Sequence, residues 1–225
     1  MEKDLSSWPP IHRGITSRKL KSACFALEAL NSLSTVYFFY YLYFYTKARF
    51  QFDAMQNLLL AALLGGVYAL GAFTSGRFAQ KFGYFTAIRC GIALMLVAFL
   101  ACSQTGSMWL TIAFSVVACL GMCLTWPAME ALVSEGELPA RLQGVVGFYN
   151  VVWASAGALA YFTGGAIQDK LGWQSLFYIP AGILALEFVL ATWLEHQVRR
   201  QPDGPVQAAL PLLHPMKESY RSPVA

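Results

Sequence analysis

Six apolar runs, separated by short polar or glycine-bearing intervals, divide the chain near residues 22–46, 54–76, 86–104, 107–130, 143–166 and 173–195. Each has the ~17 to 25 residues a helix needs to cross hydrocarbon. None alternates apolar and polar residues as the ~10-residue strands of a membrane barrel do. A spanning segment must also close its own backbone hydrogen bonds, so the pattern predicts helices. The second and fifth runs contain no Asp, Glu, Lys or Arg at all. The expected architecture is an all-α membrane protein with a six-helix transmembrane bundle over 22–196. A cytoplasmic tail (1–21) precedes it, and a Pro-rich cytoplasmic linker or tail (197–225) follows.

Composition strengthens that reading. The chain is 57% hydrophobic and 12% charged, against about one-quarter charged in a soluble domain. The basic start, MEKDLSSWPPIHRGITSRKLK, leads into a run too long for a signal-peptide core and without a small-x-small cleavage site, so the first helix is expected to remain. The net charge of +4 does not indicate nucleic acid, because the charges follow membrane topology. With the N-terminus in the cytoplasm, Lys47, Arg49 and Lys170 fall outside and the other thirteen of the sixteen Lys and Arg fall inside. The positive-inside rule then places both termini in the cytoplasm of an integral multi-pass protein of the plasma (inner) membrane. The five cysteines lie in or at the ends of the runs; Cys119 and Cys123 are one turn apart but lack a nearby His or third Cys. They are expected to be packing residues, with no metal and no cofactor.

A short phrase occurs twice: FTSGRFAQKFGY at 73–84 and FTGGAIQDKLGW at 162–173. Each copy closes one apolar run and turns into the next, and three crossings separate them. An odd number of crossings puts them on opposite membrane faces. The pattern predicts two three-helix units in inverted orientation, the construction of many secondary transporters. The expected parts are Gly76 and Gly165 for close helix approach, Gly83 and Gly172 for a left-handed reversal, Lys81 and Lys170 at headgroup level, and Tyr84 and Trp173 as interfacial anchors.

These residues resemble the N-terminal six-helix half of the major facilitator superfamily. That family carries Gly, three residues, Asp, a basic residue, one residue and Gly between helices two and three. Gly76, Gln80, Lys81 and Gly83 stand at those positions, with Gln80 in place of the acid and Tyr84 and Phe85 where basic residues usually follow. Gly165, Asp169, Gly172 and Trp173 lie in the stretch similar to the segment between helices five and six, and Arg141 and Gly144 stand where the loop between helices four and five has them. The resemblance implies a transporter of a small-molecule solute, surrounded by membrane lipid, working by alternating access. Because the family normally has twelve helices, it also implies a missing C-terminal half or a second six-helix copy as partner.

Intramembrane polar residues are the first place to look for function. Glu28, Asn31, Thr35 and Phe38 share a face of the first helix by their three- and four-residue steps and are expected to look into a central cavity. Trp126 in the fourth helix and Asn150 in the fifth complete the substrate-binding candidates; Glu28 and Glu187 are the proton-coupling candidates. Packing roles for Trp126 and its Met neighbours, and interhelical hydrogen bonds for Asn31 and the carboxyls, are the competing readings. No HExxH, Gly-x-Ser-x-Gly or Gly-x-Gly-Asp occurs, which argues against an enzyme. The alternative function is a non-transporting six-helix module that binds a partner through its cytoplasmic tail.

Overall fold

The computed structural model describes Ile15 and residues 18–200, so the two tails expected from sequence lie almost wholly outside the described residues. Six helices follow in order: α1 Arg18–Phe50, α2 Ala54–Phe82, α3 Tyr84–Gln104, α4 Met108–Ser134, α5 Pro139–Leu171 and α6 Ser175–Arg199. All six expected helices are present. Most extend beyond their apolar runs, because the backbone stays helical through the polar residues that flank hydrocarbon. At 1.5 Å per residue, the 33-residue α1 is about 50 Å long.

The boundaries have local causes. Between α1 and α2, Gln51 adopts φ 59°, and Asp53 then forms a capping box: its carboxylate accepts from the Gln56 amide at 2.7 Å while the Gln56 side chain accepts from the Asp53 amide at 2.9 Å. The repeated phrase ends α2 and α5 in the same way. Gly83 has φ 92° and Gly172 φ 74°, and each donates its amide to the carbonyl four residues back, Ala79 or Gln168, at 2.8 Å. Their ψ values of 150° and 174° lie outside the left-handed helical region expected from sequence. They occupy an extended region that is essentially glycine-only.

The helix pairing has the symmetry the echo predicts. The first unit is α1–α3 and the second α4–α6. Just as α2 and α3 pack on α4, α5 and α6 pack on α1, and α3 meets α6 between them. The Gly83 turn shares one end of the bundle with Leu132 of α4 and Glu195 of α6. The Gly172 turn lies at the other end, where Trp173 meets Tyr45 near the close of α1 with ring centroids 6.4 Å apart. The described residues therefore form an all-helical bundle of two inverted three-helix repeats.

Close approach occurs elsewhere than expected. A side chain at Gly76 would meet nothing within 4 Å, and one at Gly165 would only touch the Tyr41 hydroxyl at 3.6 Å. Gly164 lies directly against the Tyr41 and Tyr37 rings, and Gly91 of α3 lies against Gly121 of α4, each facing the other's carbonyl oxygen. Such contacts suit a medium in which helix association depends on close packing more than on hydrophobic burial.

Among the described helices, α2 to α6 are long and apolar enough to cross a membrane. Helix α1 is long enough but carries Glu28, Asn31, Ser32, Ser34 and Thr35 in its middle, all buried in the bundle. It can hold these polar groups because neighbouring helices, not lipid, surround them. By contrast, α2 and α5 are the least enclosed, exposing Leu59, Leu70, Phe73, Val151, Leu159 and Phe162 among others.

Candidate functional site: an aromatic cleft above buried carboxyls

Helix periodicity assembles a cleft of about 260 Å³ between α2, α4 and α5. On α4, Trp126 and Glu130 are four residues apart, with Pro127 between them; on α5, Tyr149, Asn150 and Trp153 occupy one face. Tyr68, midway along α2, closes the third side. Trp126 stands edge-on to both neighbours, 6.0 Å from the Trp153 ring at 88° and 6.1 Å from the Tyr68 ring at 71°. Its indole N–H is buried and has no acceptor among the described residues. Glu130 is exposed to the cleft and takes part in no ion pair among the described residues. Among the described residues no Lys or Arg lines this space.

Tyr149 connects the cleft to the interior. Its hydroxyl donates to Glu28 Oε2 on α1, while Ser32 Oγ donates to Glu28 Oε1 at 2.6 Å. One turn further along α1, Asn31 Nδ2 donates to Glu187 Oε1 of α6 at 2.8 Å. Thr125 Oγ1 of α4 approaches Asn31 Oδ1 at 3.5 Å. Glu28, Asn31 and Glu187 are all fully buried, and neither carboxyl has a cationic partner among the described residues. Glu187 Oε2 has no hydrogen-bond partner there at all. Burying a carboxylate without a cation costs several kcal/mol, so the arrangement holds stability only if hydrogen bonds and protons meet that cost.

The face predicted on α1 thus divides. Glu28 and Asn31 point to the polar interior beneath the cleft. Thr35 is buried, and its hydroxyl is used within its own helix, donating to the Asn31 carbonyl at 2.7 Å. Phe38, expected on a cavity, packs instead between helices, with its ring 4.2 Å from Phe99 of α3 and 6.1 Å from Phe177 of α6. Trp126 and Asn150 line the cleft as expected candidates. Tyr68, Glu130 and Tyr149 were not among them, although the four-residue step from Trp126 to Glu130 and the adjacency of Tyr149 to Asn150 were available in the sequence.

The motif residues stand apart from the cleft. Gln80 and Lys81 are exposed in the last turn of α2, Asp169 and Lys170 in the last turn of α5, and Arg141 in the first turn of α5. At the end of the bundle that holds Gly83, a second cavity of about 350 Å³ lies between the α2–α3 turn and the ends of α4 and α6. There Glu195 accepts from Arg89 at 2.8 Å and from Arg199 at 2.7 Å, and Lys21 pairs with Glu137. Burial raises the Glu135 carboxyl in the same cavity from 4.5 to about 7. Cys119 and Cys123 donate their thiols to the α2 carbonyls of Leu64 and Tyr68, at 3.3 and 3.6 Å, fastening α4 to α2.

The family profile described as Major Facilitator Superfamily matches residues 24–225. Similar proteins include an uncharacterised transporter of that type from Mycobacterium tuberculosis, 29% identical over 56% of this chain and 22% of its own length. The tetracenomycin C resistance and export protein of Streptomyces glaucescens is 26% identical over 60% of this chain and 25% of its own. The multidrug resistance protein MdtL of Klebsiella pneumoniae is 29% identical over 71% of this chain and 40% of its own. The chain thus spans well under half the length of these relatives. No solved structure matches it.

Proposed function

The chain belongs to the Major Facilitator Superfamily, and on that premise we propose that it is a six-helix half of a secondary transporter that moves a small solute by alternating access. Membership makes it a membrane transporter protein by family; the site residues, mechanism and sidedness are the proposal. The cleft bounded by Trp126, Asn150 and their neighbours receives the solute. Asn31 and Thr35 support the floor, Phe38 fixes the packing of α1 against α3 and α6, and Glu28 and Glu187 carry protons. The observation that carries this reading is the connection itself: Tyr149 lines the cleft and donates to buried Glu28, so occupation of the cleft and protonation of the interior share a hydrogen bond. Glu187 offers a bare oxygen where a proton can reside.

A second six-helix body, continuous with this polypeptide or a second copy, covers the exposed apolar faces of α2 and α5 and closes the pathway. Both termini face the cytoplasm of the plasma (inner) membrane. The test uses sealed vesicles containing the chain together with the six-helix body that completes it, a preset proton gradient and a panel of neutral, cationic and anionic solutes. At least one solute class should dissipate the gradient, and Glu187→Gln should abolish that flux. Solute movement that is independent of the gradient, and unchanged in Glu187→Gln, would remove the coupling assignment.

A further inference from the structure

The cleft has a definite sign. Its walls are two Trp and two Tyr rings, whose faces are electron-rich and attract cations. Its one charged lining residue among those described, Glu130, is an acid without an ion-pair partner. Behind Tyr149 lies a further acid, Glu28. Among the described residues no Lys or Arg lines the cleft, so an anion would meet the unfavourable potential of Glu130. The volume, about 260 Å³, suits a small organic molecule with an apolar body.

We propose that the cleft formed by Tyr68, Trp126, Glu130, Tyr149, Asn150 and Trp153 recognises an organic ammonium cation with an apolar body. The cationic head lies against the aromatic rings with Glu130 as counter-charge. This names the solute class for the site proposed above and rests on that reading of the cleft. Neutral molecules of the same shape gain the apolar contact but neither the attraction of a cation to the ring faces nor the pairing with Glu130.

The test measures binding to the full chain in lipid nanodiscs by calorimetry with three probes that share a benzyl group. Benzyltrimethylammonium is cationic, benzyl methyl sulfone neutral and phenylmethanesulfonate anionic. The cation should bind more tightly than the sulfone, and the sulfonate should not compete. Trp153→Leu, at a partly exposed wall position, should weaken cation binding roughly 3- to 30-fold and leave the sulfone within a factor of a few. Glu130→Gln, on the exposed rim, should weaken the cation several-fold and admit the sulfonate. Equal affinity for cation and sulfone, no binding of the cation, or indifference to both substitutions would overturn the assignment. These outcomes separate from failure of the transporter reading: sulfone binding with solute-coupled proton flux overturns only the charge preference, whereas cation binding without any solute flux overturns transport and leaves the cation site standing.

Discussion

Alanine substitutions along the repeated phrase should change stability with opposite signs, and the structure assigns the sign at each glycine. Gly83 and Gly172 hold φ of 92° and 74° with extended ψ, a region an L-residue enters at a cost of about 1–3 kcal/mol. A Cβ at Gly172 would meet nothing within 4 Å, so its penalty is purely a backbone one. Gly76 is inside α2 and also has open space around it; Ala there gains helix propensity worth up to ~1 kcal/mol. Gly165 should behave like Gly76, because its added methyl only reaches van der Waals contact with Tyr41. Each kcal/mol corresponds to roughly 2–4 °C for a domain of this size. Thermal unfolding of the four single variants in one detergent reads the result. Gly83→Ala and Gly172→Ala should each lose about 2–12 °C, and Gly76→Ala and Gly165→Ala should be neutral or gain up to a few degrees. A loss at Gly76 as large as at Gly83, or a loss at only one of the two turn glycines, would refute the claim that the two phrases build equivalent turns.

Further outcomes follow from the packing and the polar interior. Gly91→Ala drives a methyl into the Gly121 backbone carbonyl; because backbone cannot rotate aside, a loss of about 1–3 kcal/mol is expected in equilibrium unfolding in mixed micelles. Asn31→Leu leaves Glu187 without its hydrogen bond and should destabilise by about 1–3 kcal/mol, while adding Glu187→Leu should recover much of that loss; a double variant no better than the single would show the pair is not coupled. Glu135, raised from 4.5 to about 7, binds its proton more tightly folded than unfolded, so stability should fall as pH rises from about 4.5 through 7. Unfolding of Glu135→Gln across that range should lack this component, and an unchanged slope would contradict the burial argument.

Much of this architecture was legible in the sequence because hydrocarbon imposes a length and a polarity on every crossing segment. The inverted relation of the halves was also legible, since a repeated turn separated by three crossings has one topological meaning. The ends of the helices were not: Arg18, Lys19 and Lys21 begin α1, and Arg199 ends α6, where apolarity gives no signal. The site was half legible. Glu28 and Asn31 share a face by spacing alone, but their partners lie 121 and 156 residues away on α5 and α6, and only the helix packing brings them together. Phe38 shows the converse, since the same spacing that aligns it with Asn31 also carries it up the helix into the Phe99 and Phe177 layer.

The claim on which the rest depends is that the two turns open on opposite sides of a bilayer. In a background freed of its five native cysteines, Lys81→Cys and Lys170→Cys can be exposed to an impermeant maleimide in sealed vesicles of known orientation. Position 81 should react from the cytoplasmic side alone and position 170 from the opposite side alone. Reaction of both from a single compartment would contradict the inverted repeat and the alternating-access reading built on it.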